Sequence, residues 1–317
     1  MDVRRLDLLR ELADRGSIAA VAAATHRTPS AVSQQLKVLE REAGVPLTER
    51  DGRGISLTDA GRALARSAGD VAIALERAHA VWDEYRNDAT GEVTVATFPT
   101  AGQMLLPGVI SSLADVPGLT VTMVDRDPDT GNFPELTVDY DIVLAHSMPG
   151  SRAWSGKGLR NLYLLSEPLD VSLPLGHRLA GVNMLTPHQL VNEPWIGVPE
   201  GYPFDGLMHE IEAVTGQELT VVQRVTDNRT SEALVAAGIG IGLVPRFTAS
   251  GRERGIVTRP LTGVEASRHI VALMRPEKAE RFAVRTVAEA LHAEAGRLQL
   301  AHNPVEDAAP YTTPRWT

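Results

Sequence analysis

The sequence predicts an all-α N-terminal unit that carries a small hairpin, then a long helix, then a C-terminal α/β region. Three observations lead to this fold class. Short amphipathic helices separated by turn residues fill positions 1–58, apolar side chains recur every three or four residues over 64–85, and strands alternate with helices from Gly91 onward. At 317 residues with 43% apolar composition, the chain is long enough for two or three domains.

The first two helices are predicted from apolar spacing and from capping residues. Leucines recur every three residues between Leu6 and Leu12, on a helix that Gly16 ends. Ser17 is placed to cap a second helix over residues 18–24, which consists almost entirely of small side chains. Small side chains allow another helix to cross this one closely.

The third helix has one apolar and one polar face. Thr28 is placed to cap it, Pro29 takes the first helical position, and Gly44 follows the last turn. At about 100° per residue the apolar face consists of Val32, Leu36 and Leu39. The opposite face carries two hydroxyls, an amide and two cations: Ser30, Ser33, Gln34, Lys37 and Arg41.

A Gly-containing hairpin is predicted around residues 51–54. A helix, a sharp turn, a second helix and a hairpin together form a winged helix-turn-helix, whose second helix enters the major groove of DNA. Glutamine can bind a base edge through two hydrogen bonds, serines can bind bases or phosphates, and cations neutralise phosphates. The predicted DNA-binding residues are Thr28, Pro29, Ser30, Ser33, Gln34, Lys37, Arg41, Arg50, Arg53 and Thr58. The alternative interpretation is an ordinary solvent-exposed helix face.

After Thr58, which is placed as a cap, one long helix is predicted. Its apolar residues follow steps of four and three, which is the spacing of a coiled-coil seam. A helix of this length extends well beyond the small domain before it, so a second copy of the chain is the expected partner. The predicted dimerisation residues are Leu64, Val71, Leu75, Ala78, Trp82 and Tyr85. The alternative is that this helix packs on its own C-terminal domain.

From Gly91 the pattern is that of an α/β region whose strands suit two small sheets better than one. The predicted strands are residues 93–97, 119–124, 141–145, 162–165, 169–173, 195–198, 219–225, 241–244 and 269–274. The predicted helices are residues 102–113, 204–214, 230–237 and 277–298.

Composition limits the function classes. The net charge is −9, but residues 1–66 hold 11 Lys/Arg against 9 Asp/Glu, so any polyanion-binding surface is expected in the N-terminal segment. The absence of cysteine excludes disulfides and thiolate metal sites. No apolar run is long enough to cross a membrane, and Asp7, Glu11 and Asp14 interrupt a start that otherwise resembles an export signal. We therefore expect a cytoplasmic protein that does not contact membranes.

Enzyme-like motifs are weak or incomplete. "GIGIG" at 238–242 follows a predicted helix and precedes a strand, the reverse of the dinucleotide-binding order. "GSRAWSGKG" at 150–158 has the wrong glycine spacing for a phosphate loop and Gly158 in place of Ser or Thr. No G-x-S-x-G or H-E-x-x-H pattern occurs. We therefore predict no catalytic residues, no metal site and no cofactor.

The N-terminal segment resembles the DNA-binding domain of LysR-type transcriptional regulators. The resemblance lies in "SAVSQQLKVLE", "GVPLTER" and "LTDAG", covers residues 1–65 densely and continues more loosely to residue 275 through "LPLGHRLAG" and "LVAAGIGIGLVPR". Thr48 departs from the family, which usually has an aromatic residue in the wing at this position. The resemblance implies a C-terminal effector domain like type 2 periplasmic binding proteins, with a small-molecule cleft between two α/β lobes.

The resemblance also implies where an effector would bind. Thr100 stands where the first cleft helix of the family begins, a position at which the family often uses Ser or Thr to hold the effector. A plain helix cap is the alternative role for Thr100. The other residues that follow predicted strands into the cleft are Phe98, His146, Pro199, Phe204 and Asn228, for which ordinary packing is the alternative.

We therefore predict a dimeric or tetrameric transcriptional regulator that binds an interrupted inverted repeat in double-stranded DNA and responds to a small-molecule effector of unidentified chemistry. RNA polymerase is a further candidate partner. The predicted domains are a winged helix-turn-helix over 1–58, a linker and dimerisation helix over 59–90, an effector domain over 91–300 and a flexible tail over 301–317. Lobe I of the effector domain comprises residues 91–165 and 268–300, and lobe II comprises residues 166–267.

Two alternatives remain open from the sequence. One is a solute-binding or enzymatic α/β protein with a helical oligomerisation arm and no role on DNA. The other is a DNA-binding protein whose C-terminal domain serves only for oligomerisation.

Overall fold

The computed structural model forms two compact units. One comprises residues 1–90 with 275–285, and the other comprises residues 91–274 with the chain from 286 onward. The structure describes residues 1–52, 54–86, 88–128, 132–152 and 154–302. Most of the predicted tail therefore lies outside the described residues.

The first unit is helical with one hairpin. Its helices are α1 (Val3–Arg15), α2 (Ile18–Ala24), α3 (Pro29–Ala43), α4 (Asp59–Arg86) and α10 (Pro276–Glu280), and its strands are β1 (Thr48–Asp51) and β2 (Gly54–Leu57). The predicted caps are confirmed, since the Ser17 hydroxyl accepts the amide of Ala20 at 3.1 Å and the Thr28 hydroxyl accepts that of Ala31 at 3.2 Å. Gly16 ends α1 in the left-handed conformation, with a φ of 71°.

A small leucine-rich core holds these helices together. Leu9, Val21, Val32 and Leu39 have no exposed surface, so the predicted apolar face of α3 is the buried one. Each such side chain contributes roughly 1.5–3 kcal/mol on burial. The hairpin is also confirmed, with β1 antiparallel to β2.

The start of α4 lies directly against the segment before the wing. The Thr58 hydroxyl accepts the Gly61 amide at 3.0 Å and donates to the carbonyl oxygen of Pro46 at 2.9 Å. Gly61 is required here, because a Cβ at this position would lie 2.0 Å from the carbonyl oxygen of Leu47. The predicted cap at Thr58 thus also fixes the approach of α4 to the wing.

The second unit contains two sheets that share one long strand. Its strands are β3 (Gly91–Thr97), β4 (Leu119–Asp125), β5 (Ile142–Ser147), β6 (Arg160–Pro174), β7 (Pro194–Gly197), β8 (Thr220–Arg224), β9 (Ile241–Pro245), β10 (Ile256–Pro260) and β11 (Ser267–Met274). Its helices are α5 (Pro99–Ser112), α6 (Phe133–Leu136), α7 (Pro187–Leu190), α8 (Asp205–Thr215), α9 (Asn228–Ala236) and most of α11 (Phe282–His302), which begins in the first unit.

The first sheet has the order β4-β3-β5-β11-β6 and the second has the order β10-β6-β9-β7-β8. The β3/β4, β3/β5, β7/β8 and β7/β9 pairs are parallel, and those that involve β6 are antiparallel. The strand β6 pairs with β11 up to Pro168 and with β9 from Leu169, so it passes from one sheet to the other at this point. Two α/β lobes are the result, as predicted.

Several elements differ from their predictions. The strands expected over 162–165 and 169–173 are one continuous strand, β6, and neither β10 nor the short helices α6 and α7 were predicted. The helix expected over 277–298 is broken at Arg281, whose backbone is extended with φ −59° and ψ 130°. The segment before the break is α10, which packs on α4, and α11 continues through residues 301–302 of the predicted tail.

The structure also settles the local role of the two glycine-rich motifs. Gly238 has a φ of 76° just after α9, and β9 begins at Ile241, so "GIGIG" ends a helix and enters a buried strand. Within the described part of the 150–158 segment, turns lead directly into β6 rather than into a helix. Neither arrangement is that of a nucleotide-binding loop.

Across the described ranges, no helix is both long and apolar enough to cross a membrane. Within those same ranges, no group of three or more His, Asp or Glu side chains is arranged to hold a metal ion.

Candidate nucleic-acid interface and ligand cavity

The polar face of α3 is open to solvent. Of its predicted DNA-binding side chains, Ser30, Gln34, Lys37 and Arg41 are exposed and Ser33 is half-buried. The Ser30 hydroxyl lies 3.1 Å from that of Thr28, so these two hydroxyls are hydrogen-bonded to each other at the start of the helix. We name the exposed side chains Ser30, Gln34, Lys37 and Arg41 the recognition surface.

The remaining predicted DNA-binding residues fall into three groups. Thr28, Pro29 and Arg50 are exposed. Thr58 is half-buried, and its hydroxyl is already engaged with Pro46 and Gly61 as described above. Arg53 lies outside the described residues.

The wing is joined to α3 by a carboxylate. Oε1 of Glu40 accepts hydrogen bonds from the amide of Leu47 at 3.0 Å, and from the amide and hydroxyl of Thr48, each at 2.9 Å. Thr48 is the residue that departs from the family's usual aromatic. Its hydroxyl therefore adds a hydrogen bond between β1 and α3.

Most of the predicted seam on α4 is exposed in the single chain. Val71 is 38% exposed, Leu75 43%, Trp82 59% and Tyr85 83%. Trp82 and Tyr85 stack with their ring centroids 5.8 Å apart. Ala78 is exposed and Leu64 is half-buried. A row of large apolar side chains on one helix face is the chemistry of a protein-protein interface.

A cavity of about 190 Å³ lies in the second unit. Five of the six predicted effector-binding residues line it: Phe98, Thr100, His146, Phe204 and Asn228. Pro199 is not among its lining residues. Phe98, Thr100 and His146 come from the carboxyl ends of β3 and β5 and the N-terminus of α5, and Phe204 and Asn228 come from the starts of α8 and α9. Helix N-termini and strand ends meet in this way in an α/β lobe.

Thr100 is hydrogen-bonded to a buried arginine. The helix α5 begins at Pro99 and has no side-chain cap, so the cap role considered for Thr100 is wrong. Instead its hydroxyl oxygen accepts a hydrogen bond from Nη2 of Arg268 at 2.7 Å. Arg268 also donates from Nε and Nη2 to one oxygen of Glu167, at 2.9 and 2.6 Å. The side chains of Arg268 and Glu167 are 2% and 0% exposed, so each charge depends on the other.

Aromatic rings surround this ion pair. The guanidinium carbon of Arg268 lies 5.1 Å from the centroid of Phe98 and 5.7 Å from that of Phe204, within cation–π range of both. His146 contacts the same rings, with centroid distances of 4.5 Å to Phe98 and 6.3 Å to Phe204. One end of the cavity is therefore apolar and aromatic.

His146 is buried and uncharged at neutral pH. Burial lowers its pKa below the ordinary value of 6.5, Asp127 acts in the opposite direction, and nearby Arg268 lowers it further. Its Nε2 lies 3.8 Å from Oδ1 of Asp127, which is beyond hydrogen-bond distance. Oδ2 of Asp127 accepts a hydrogen bond from the Tyr202 hydroxyl at 2.9 Å.

The cavity lining also carries a second ion pair. Arg229 donates to Glu232 at 3.1 Å, to the Ser250 hydroxyl at 2.6 Å and to Gln103 at 3.3 Å. Glu232 also accepts the amide and hydroxyl of Ser250, at 2.8 and 2.6 Å. The charges of this pair are satisfied within the protein.

The sequence-based prediction missed Glu167, the buried partner of Arg268, and all the charged residues that line the cavity: Asp127, Asp227, Arg229, Glu232 and Arg268. One signal was available for Arg268, since an arginine within the apolar strand "SRHIVALM" must find a buried partner. Its partner Glu167 is distant in the sequence, and nothing local connects the two.

An exposed recognition helix with a wing, and two α/β lobes around a polar and aromatic cavity, define the class of ligand-responsive DNA-binding regulators. The family model described as the LysR substrate binding domain matches residues 86–296, and the model for bacterial regulatory helix-turn-helix proteins of the lysR family matches residues 3–62. The chain belongs to the LysR family of DNA-binding transcriptional regulators with an effector-binding domain.

Its relatives are transcriptional regulators. The chain is 29% identical to the transcriptional dual regulator GltC of Bacillus subtilis, over 88% of this chain and 92% of GltC. It is also 29% identical to the regulator TtuA of Agrobacterium vitis, over 74% of this chain and 77% of TtuA.

Solved structures share the fold over most of the chain. A full-length OxyR variant from Pseudomonas aeruginosa matches with a TM-score of 0.65 at 20% identity, and the match covers 92% of this chain and 98% of that one. CbnR in complex with its target DNA matches with a TM-score of 0.53 at 24% identity, covering 93% of this chain and 100% of CbnR.

Proposed function

We propose that the recognition surface binds base edges and phosphates of a specific operator in double-stranded DNA. The observation that carries this proposal is the exposed polar face on a helix whose opposite face is fully buried. Gln34 is the side chain assigned to a base edge, and Lys37 and Arg41 are assigned to phosphates. Arg50 contacts the backbone from the wing. The CbnR complex with target DNA is a precedent for DNA binding by this fold.

A second copy of the chain covers the exposed seam on α4. Val71, Leu75 and Trp82 are too apolar and too exposed for a surface that stays in water. Paired copies place two recognition helices at a fixed separation, which suits an interrupted inverted repeat. Sedimentation of the full chain at micromolar concentration tests this proposal, and a monomer would contradict it.

A small molecule in the cavity acts as the effector. Its binding favours one arrangement of the paired copies over another, and this requires different affinities for the two arrangements. RNA polymerase is a candidate partner of the DNA-bound assembly. We propose a role in regulation rather than catalysis, without a metal or cofactor, because the relatives are regulators.

The test is binding of the full chain to the DNA upstream of its own gene, measured by fluorescence anisotropy against random DNA of equal length. Gln34→Ala is expected to weaken specific binding by about 1–3 kcal/mol, since a bidentate base contact is lost. Its affinity for random DNA should stay unchanged. Gln217→Ala removes an exposed glutamine from the other unit and serves as the matched control.

If wild type bound its upstream DNA no more tightly than random DNA, the proposal would be wrong. That outcome would favour the solute-binding or enzymatic alternative. Equal losses of Gln34→Ala on both DNAs would instead show that Gln34 does not select the sequence.

A further inference from the structure

The charges around the cavity are not all satisfied within the protein. Arg229 and Glu232 neutralise each other, and Asp227 accepts the amide and hydroxyl of Thr230 at the start of α9, at 2.7 and 2.6 Å. Two further charged side chains of the lining keep an atom without a hydrogen bond to the described residues. These atoms are Nη1 of Arg268 and Oδ1 of Asp127.

Nη1 of Arg268 makes no hydrogen bond to the protein among the described residues. The hydrogen bonds of Arg268 to Glu167 and Thr100 use only Nε and Nη2. The side chain as a whole is 98% buried, but Nη1 is not among its fully enclosed atoms. A ligand oxygen at this position would therefore form a charge-assisted hydrogen bond with the guanidinium.

Asp127 is a carboxylate that lacks a cationic partner among the described residues. Its Oδ2 bonds to the Tyr202 hydroxyl, and its Oδ1 faces the uncharged imidazole of His146 at 3.8 Å. A carboxylate in this position attracts an ammonium group and repels a second carboxylate. A simple organic anion would thus satisfy Arg268 but be opposed by Asp127.

Both groups belong to the surroundings of His146. Asp127 approaches its Nε2, and Arg268 lies over Phe98, whose ring is 4.5 Å from the imidazole. The volume of about 190 Å³ is below that of pockets for drug-sized ligands. A small ligand that carries both charges suits this lining.

We propose that the cavity binds a free α-amino acid, with its ammonium on Asp127 and its carboxylate on Nη1 of Arg268. The Thr100 hydroxyl, which accepts from Arg268, has its own proton available for the same carboxylate. Phe98 and Phe204 contact the side chain of the ligand. This inference rests on the proposed function, in that the cavity is taken as the effector site.

The first test uses the wild-type full chain and a series of ligands that differ in one charge. The twenty standard L-α-amino acids are screened by thermal shift, and each one that raises the melting temperature is compared by calorimetry with its deaminated acid and its amide. Each analogue is expected to bind at least about tenfold more weakly, because one charged hydrogen bond is lost. A deaminated acid that binds as tightly as the amino acid, or a screen without any binding amino acid, would overturn the proposal.

The second test removes the charge of Asp127 and keeps its shape. Asp127→Asn still accepts from Tyr202, and it should weaken amino acid binding at least about tenfold, whereas the deaminated acid, no longer repelled by a carboxylate, should bind at least as tightly as it does to wild type. Asp125→Asn, an exposed neighbour outside the cavity lining, is the matched control. Equal affinity of Asp127→Asn and wild type for the amino acid would contradict the assignment. If the variant does not fold, the wild-type ligand series decides.

DNA binding without ligand, measured on the same preparations, separates the two proposals. A chain that binds its operator but no amino acid overturns only the ligand assignment. A chain that binds neither overturns the proposed function as well.

Discussion

On α3, Gln34, Lys37 and Arg41 are exposed to solvent, whereas Arg268 and Glu167 in the cavity are almost completely buried and hydrogen-bonded to each other. On α3, hydrated side chains are free to adapt to a long polyanion. Each cation there adds its own contribution to the affinity for DNA. In the buried pair the charges are held in fixed positions. Removal of one of them leaves the other buried without a counter-charge.

The two sites therefore select their ligands through different electrostatic interactions. Water screens the charges of the recognition surface, so its affinity for DNA depends on the sum of many weak contacts and on salt. The buried charges of the cavity are screened much less, so a small ligand is recognised through a few groups of defined geometry.

The buried pair should be strongly interdependent. Glu167→Ala leaves the guanidinium of Arg268 buried without its counter-charge and is expected to lower the free energy of unfolding by about 3–5 kcal/mol. Urea unfolding followed by tryptophan fluorescence measures this change. Glu218→Ala removes an exposed glutamate from the same unit and should change the free energy by less than about 0.5 kcal/mol.

A double variant distinguishes the interdependence of the two buried charges from a simple loss of packing. E167Q combined with R268M replaces both charges by side chains of similar size, and it should recover most of the stability lost in Glu167→Ala. If the double variant were as unstable as the single one, the cost would lie in packing or in the bond from Phe247 to Glu167 rather than in the stranded charge.

The helical unit was largely predictable because its signals are local. Ser17 and Thr28 cap α2 and α3 by accepting amides three residues on, and Gly16 and Gly44 end α1 and α3 in the left-handed conformation. The apolar and polar faces of α3 follow from the helical period alone. Such contacts join residues only a few positions apart, so a single sequence is enough to predict them.

The cavity was predictable only in part. Phe98, Thr100 and His146 follow strand ends and could be placed, but the pairing of Arg268 with Glu167 joins positions 101 residues apart. The break at Arg281 has no Pro or Gly to signal it. Pro168 interrupts the apolar pattern of β6, so two strands were predicted where one strand changes sheets. Tertiary pairing decides each of these features.

Gly61 is expected to stabilise the helical unit because it has no side chain, and not through any charge. Gly61→Ala would place a Cβ 2.0 Å from the carbonyl oxygen of Leu47 and is expected to destabilise the helical unit by about 1–3 kcal/mol. Gly69→Ala lies on the same helix with nothing within 4 Å and should instead stabilise it by about 0.5–1 kcal/mol. Thermal unfolding of the two variants measures both changes. Equal effects would show that α4 does not depend on its close approach to Leu47.

A single exposed cation should have the smallest effect. Because Lys37 is solvent-exposed, Lys37→Ala should leave the free energy of unfolding within about 0.5 kcal/mol of wild type. It should weaken binding to operator and random DNA alike and reduce the salt slope by about one, since one phosphate contact is lost. Anisotropy titrations across a salt series measure the slope, with Lys157→Ala as the exposed control in the other unit. A loss confined to the operator would assign Lys37 to a base edge, and the contrast between additive surface charges and interdependent buried ones would then need revision.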